Sequence, residues 1–95
     1  MLMEFEWDER KNDTCFRDRG FDFAYVAAVF ADPNRMIKTD TRFCYGEPRY
    51  QLTGSIEGRL YVLVYTPRND RIRIISARKA NLREIKKYEE RKDEA

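Results

Sequence analysis

The stretch Arg71-Ile72-Arg73-Ile74-Ile75-Ser76-Ala77-Arg78-Lys79-Ala80 decides how this chain is read. Its first half alternates cation and isoleucine, the period of a β-strand, so Ile72 and Ile74 share one face while Arg71 and Arg73 share the other. A strand that only filled a core would have no use for three arginines and a lysine. Arginine grips phosphate well, because its planar fork donates two hydrogen bonds at once and keeps its charge near neutral pH.

Working outward, Pro67-Arg68-Asn69-Asp70 has turn composition, so the strand before it, Arg59 to Thr66, is expected to form an antiparallel hairpin with Arg71 to about Arg78. A four-residue loop sets Thr66 against Arg71, Val64 against Arg73 and Val62 against Ile75. One face of the hairpin then carries Tyr61, Leu63, Tyr65, Ile72 and Ile74. The other carries Leu60, Val62, Val64 and Ile75, with Arg71 and Arg73 toward the turn. Both faces are apolar enough to be covered, which points to a central hairpin. Strict alternation puts Arg78 opposite Arg73, so a site using both needs a bulge or a strand end between them.

The remaining elements follow from local signals. Phe5 to Trp7 suits a short strand, Asp8 caps a helix through about Arg19, and Gly20 supplies its left-handed stop. Asp22 caps a second helix through Phe30, with Phe21 as a hydrophobic staple against Val26. Its apolar residues Phe23, Val26, Ala27 and Phe30 keep helical spacing and face the core. Asp32-Pro33-Asn34 ends it. Arg35 to Lys38 and Arg49 to Ile56 read as strands. A last helix runs from Asn81 to about Arg91, with Glu84 in the capping-box position and a narrow stripe of Leu82, Ile85 and Tyr88 for docking. The expected fold class is α+β, one domain over residues 1–95, with an antiparallel sheet, two N-terminal helices packed on it and a C-terminal helix.

Net charge is only +2, yet it is unevenly distributed. Residues 1–32 hold eight acids and four bases, whereas residues 33–95 hold nine acids and fifteen bases. Between residues 68 and 83, Arg68, Arg71, Arg73, Arg78, Lys79 and Arg83 face Asp70 alone, a pattern suited to a polyanion or an acidic protein. There is no histidine, and Cys15 and Cys44 stand apart, which argues against a zinc site and against a structural disulfide. No metal or cofactor is expected. No stretch has the ~20 apolar residues that a membrane helix needs, and the acidic opening is unlike a signal peptide, so the expected location is cytoplasmic. The first two helices sit in the acidic part of the chain, which disfavours a helix-turn-helix reader of DNA.

A family resemblance rests on residues spread along most of the chain. Phe5, Trp7-Asp8 and Lys11 are followed by Gly20, Phe23, Val29-Phe30, Asp32-Pro33, Gly46-Glu47 and Arg49-Tyr50. Gly54, Gly58-Arg59-Leu60, Val64-Tyr65-Thr66 and the whole of Arg71 to Ala80 complete the set, with Arg83-Glu84 and Tyr88 beyond. In this order they resemble the BrnT family of bacterial toxins. The resemblance implies a small RelE-like fold and a ribonuclease that arrests translation. It also implies a BrnA-type ribbon-helix-helix antitoxin, assembled with the toxin as a two-plus-two heterotetramer, that meets promoter DNA itself. One departure stands out. Where relatives carry an asparagine followed by Lys-His-Gly, this chain has Cys15, Asp18, Arg19 and Gly20, so a guanidinium replaces an imidazole that could exchange protons.

Cleaving RNA requires the 2′-hydroxyl to lose a proton, the phosphorane charge to be stabilised and the 5′-oxygen to gain a proton. Arg73 and Arg78 are the candidates for the scissile phosphate, with Arg49 assisting and Glu47 or Tyr65 handling the proton. Arg71, Lys11 and Arg19 are candidates for binding RNA. Each has a plainer reading: Glu47 can bridge Arg49 on the surface, Tyr65 and Trp7 can be packing aromatics, Lys11 can pair with Asp8, and Cys15 can be a small buried residue. The competing function is a noncatalytic module whose basic hairpin acts with an antitoxin in regulating transcription.

Overall fold

The computed structural model describes residues 3–41 and 46–94, so Cys44 lies outside the described residues. Five strands form one sheet in the order β1-β5-β4-β3-β2: β1 Phe5–Trp7, β2 Met36–Thr39, β3 Tyr50–Ile56, β4 Arg59–Arg68 and β5 Arg71–Lys79. The helices are α1 Glu9–Arg19, α2 Phe23–Val26 and α3 Leu82–Glu94. The class is α+β as expected, but the sheet is mixed, because β1 runs parallel to β5. That pairing joins residues 67 positions apart and leaves no local trace in the sequence.

The caps behave as their chemistry dictates. Asp8 accepts from the N–H groups of Arg10 and Lys11, and Gly20 closes α1 at φ 85°. Asp22 accepts from the Tyr25 N–H, and the Phe23 N–H is held by the Asn12 side chain at 2.7 Å, which fixes α2 against α1. The second helix does not run as α-helix to Phe30. After Val26 it tightens into a 3₁₀ segment, Ala27–Ala31. Asn81 and Glu84 exchange hydrogen bonds at 2.8 and 2.9 Å, completing the capping box of α3.

The hairpin departs from expectation at both ends. Its loop is Asn69-Asp70 alone, both at positive φ, so the turn is of the primed kind that matches strand twist and β4 continues through Pro67 to Arg68. Thr66 therefore faces Arg73, and the expected register of Thr66 against Arg71 is corrected. A second irregularity follows: Tyr65 pairs with Ile74 but Val64 pairs with Ser76, leaving Ile75 as the extra residue of a β-bulge. The bulge inverts the alternation downstream. Ile72, Ile74, Ala77 and Lys79 then share the face of Tyr61, Leu63 and Tyr65. Arg71, Arg73, Ser76 and Arg78 share the other.

The core lies on the first of these faces, where Phe23, Val26 and Val29 meet Leu52, Leu63 and Ile74. The 3₁₀ segment approaches β3 so closely that a Cβ on Gly54 would stand 2.8 Å from the Val29 Cβ and 3.0 Å from its carbonyl oxygen. Helix α3 crosses the opposite face near Met36, Lys38, Gln51 and Thr53. It is anchored by Tyr88, buried, whose hydroxyl donates to Asp32 at 2.7 Å, while Leu82 of the expected docking stripe stays exposed. Asp32 also accepts from the Asn34 and Ser55 N–H groups, each at 2.8 Å. Among the described residues no helix is long and apolar enough to cross a membrane.

Two outcomes are expected. Gly54→Ala overpacks the contact with Val29 and lowers stability by about 1–3 kcal/mol in urea unfolding. Tyr88→Phe removes a hydrogen bond to a charged acceptor and costs about 1.5–3 kcal/mol at pH 7. Burial opposes the Asp32 charge, but the bonds from Tyr88, Asn34 and Ser55 outweigh it and hold the carboxyl below its ordinary 3.8. Burial and the Asp32 carboxylate push the Tyr88 hydroxyl from 10.0 up to about 12. The Tyr88 contribution is therefore full below pH 10 and lost as pH climbs through about 12. The Asp32 contribution is full above its ordinary value and lost as pH falls through the lowered one. The stability gap between wild type and Tyr88→Phe should shrink at both extremes, which unfolding curves across pH would register.

Candidate functional site

On the face made by the bulge, side chains line up in rows across the sheet. Glu6 of β1 lies beside Arg73 of β5, which faces Thr66 of β4. Tyr50 faces Tyr65, so Arg49, one residue earlier, continues the same row. The Thr66 hydroxyl donates to the Pro48 carbonyl at 2.5 Å, laying the segment Glu47-Pro48-Arg49 against the strand that carries Arg73's neighbour. Three of the sequence candidates, Arg73, Arg49 and Glu47, are thereby brought to one end of one face.

The arginines on this face of the hairpin are answered by carboxylates. Arg73 donates to Glu6 at 2.8 Å, Arg71 meets Glu4 at 3.2 Å and Arg68 meets Glu47 at 3.0 Å. Glu47 thus bridges to Arg68, where the plainer sequence reading had Arg49. Arg73 and Glu6 are both mostly covered, at 28% and 26% side-chain exposure, so this pair is better held than a surface bridge. It fixes the direction of the guanidinium, at the cost of neutralising part of its field.

Arg78 occupies the same face four β4 positions away from Arg73, opposite Val62, a separation of roughly 13 Å along the strand. Its two terminal nitrogens donate to the two oxygens of Glu84 at 2.7 and 2.8 Å. Those bonds hold the Glu84 carboxyl below the usual carboxylate range, against the effect of burial. Glu84 was given no place in the site by the sequence, where it reads as a helix cap and as part of the family resemblance; it also aims Arg78. A cleft of about 320 Å³ beside this pair is lined by Lys38, Asp40, Gln51, Arg78 and Glu84 among others. Lys38 and Gln51 were not singled out from sequence, since only the sheet order brings β2 and β3 next to this part of β4.

Tyr65 does not join the arginines. It is buried on the helix-covered face, edge-on to Phe30 at 5.0 Å and tilted against Tyr50 at 5.6 Å, and burial raises its hydroxyl pKa. Trp7 is likewise a packing residue, edge-on to Phe23, with its ring N–H on Glu9 at 3.1 Å.

Lys11 and Arg19 stand elsewhere, along α1. With Arg10, Cys15, Phe23 and Ser76 they line a cleft of about 430 Å³ between α1 and the bulged part of β5, where β1 has ended and no other strand among the described residues covers the edge. Cys15 is buried there with its thiol 3.7 Å from the Ala77 carbonyl, and burial raises its pKa, which suits the structural reading of this residue. No imidazole replaces Arg19, because the sequence holds no histidine.

The arrangement offers fixed positive groups, carboxylates that orient them and open clefts on both faces of β5, which is chemistry for holding a phosphate chain. A comparison with curated proteins returns no match. Residues 7–84 do match a family described as the ribonuclease toxin, BrnT, of type II toxin-antitoxin systems, and the chain belongs to that family.

Proposed function

We propose that this chain cleaves RNA by its own action and that a bound antitoxin, of the ribbon-helix-helix kind implied by the family resemblance, holds it silent in a two-plus-two assembly. The observation that supports a catalytic role most directly is the Thr66 bond to Pro48, which sets Glu47 and Arg49 beside the row of Arg73. In the reaction envisaged, the Glu47 carboxylate accepts the proton of a 2′-hydroxyl, whose oxygen bonds to phosphorus while the bond from phosphorus to the 5′-oxygen breaks. The 5′-oxygen takes a proton from water. Arg73 and Arg49 carry the charge that builds on the phosphate oxygens. The products are a 2′,3′-cyclic phosphate and a 5′-hydroxyl.

Arg78 and Arg71 serve a different purpose in this reading. At roughly 13 Å from Arg73, Arg78 suits a neighbouring phosphate of the same strand better than the scissile one. Glu84 keeps it pointed there. Tyr65, on the opposite face and buried, has no part in the chemistry.

Purified, folded, antitoxin-free protein is expected to leave 2′,3′-cyclic phosphate ends on single-stranded RNA. Arg73→Ala should slow cleavage by roughly 100-fold, with Arg73→Lys recovering only part because an ammonium cannot make the forked contact. Glu47→Gln should slow it by roughly 100-fold or more while leaving RNA affinity close to wild type. Wild-type protein that leaves RNA intact both alone and with ribosomes would instead support the noncatalytic module.

A further inference from the structure

The four arginines Arg68, Arg71, Arg73 and Arg78 are each matched to a glutamate, so part of the charge that first marks the sequence as basic is offset within the protein. Three further cations lie on the other face. Arg19, Arg59 and Lys79 form no ion pair among the described residues, and all three line one cleft of about 380 Å³ at the end of the sheet away from the Asn69-Asp70 turn.

The fold puts them there for identifiable reasons. Lys79 faces Tyr61 across the β4–β5 pair, on the helix-covered face to which the bulge at Ile75 assigns it. Arg59 lies two residues before Tyr61 on β4 and so shares that side. Arg19 stands in the last turn of α1.

Between these cations the cleft is aromatic. Tyr61 forms its buried floor, with Phe21 edge-on at 5.0 Å and Tyr25 edge-on at 6.0 Å. Phe16 projects from α1 with 59% of its surface in water and Tyr25 with 39%, so both large rings present surface to solvent. Acidic groups are few at this site: Asp22 is engaged by the Tyr25 N–H as a helix cap, and Glu57 lies near the Tyr25 hydroxyl.

Exposed rings between separated cations suit a strand whose bases stack on any π-face while its phosphates find positive charge. An extended acidic peptide would do better with a free strand edge. Here β4 is paired on both sides, Tyr61 with Gly54 and with Lys79, so the cleft offers no backbone to extend.

We infer that the cleft between Phe16, Tyr25 and Lys79 is an anchoring site for single-stranded RNA, holding a base against Phe16 and Tyr25 and the flanking phosphates on Arg19, Arg59 and Lys79. It rests on the reading of the chain as a ribonuclease, and it is separate from the cleavage groups, being on the opposite face of β5. Arg19 also lines the second cleft along α1, so a strand anchored here continues past Arg10 and Lys11 to Ser76 at the uncovered edge of β5. The anchored strand would thus be fed toward the face of Arg73 and Arg78.

The test uses the full chain and a fluorescent 2′-O-methyl oligouridine, which cannot be cut through its blocked 2′-oxygen, with anisotropy read over a range of KCl concentrations. Wild type should bind it; Phe16→Ala should weaken binding by roughly tenfold, while Phe16→Tyr keeps it. Lys79→Ala and Arg59→Ala should each reduce the slope of log affinity against log salt by about 0.7. Circular dichroism verifies that these exposed-residue variants are folded. Failure of wild type to bind the oligomer, or equal affinity and salt slope in all the variants, overturns the site. So does loss of antitoxin binding in Phe16→Ala and Lys79→Ala with oligomer binding intact, which would assign the cleft to an acidic protein. Oligomer binding that depends on Phe16 and Lys79, in a wild-type protein that leaves ordinary RNA uncut, would uphold the site and reject the cleavage reading.

Discussion

A single inserted residue governs this molecule. Ile75 bulges out of β5, and every side chain beyond it changes face. Without it, Arg78 would point into the helix-covered core and Lys79 would leave the aromatic cleft for the opposite surface. With it, one strand serves two surfaces of different character: a row of arginines steered by glutamates on one side, and a lysine over tyrosine on the other. The edge of β5 beyond β1 stays open as well, because β1 pairs only with Ile72 to Ile74.

The second constraint is Asp32. Its carboxylate ties the end of the 3₁₀ segment to β3 through Ser55 and to α3 through Tyr88. Helix α3 in turn carries Glu84, which holds Arg78 with two hydrogen bonds. A buried carboxylate bound to α3 one helical turn from Glu84's position thereby contributes to where that guanidinium points. The hydrogen bonds it receives outweigh its burial, so it stays charged well below neutral pH.

Local chemistry was legible in the sequence, and non-local pairing was not. Asp8, Gly20, Asp22 and the Asn81–Glu84 pair announce their helix ends because a cap acts within a few residues. The two faces of the β4–β5 hairpin were also readable up to the turn. The turn itself was misjudged, since Pro67 looks like loop composition but sits in a strand whose missing N–H is tolerated there, and Asn69-Asp70 adopts positive φ without glycine. The basic character of residues 68–83 was visible, but not that glutamates from β1, the segment before β3 and α3 neutralise it. Those partners arrive from as far as 67 positions away. The cations that remain unmatched, Arg59 and Lys79 among them, gave no signal beyond composition, because only the sheet brings them to the rings of Tyr25 and Tyr61.

The parallel pairing of β1 with β5 has a consequence in time. Glu6 waits for Arg73, which is 67 residues later in the chain, and at typical elongation rates of about 5–20 residues per second that delay is roughly 3–13 s. During that interval β5 is missing, so neither the oriented arginines nor the cleft of Tyr61 and Lys79 has been assembled. The face of Arg73 is therefore completed only after most of the chain has been made, and its folding still has to bring residues far apart in sequence together.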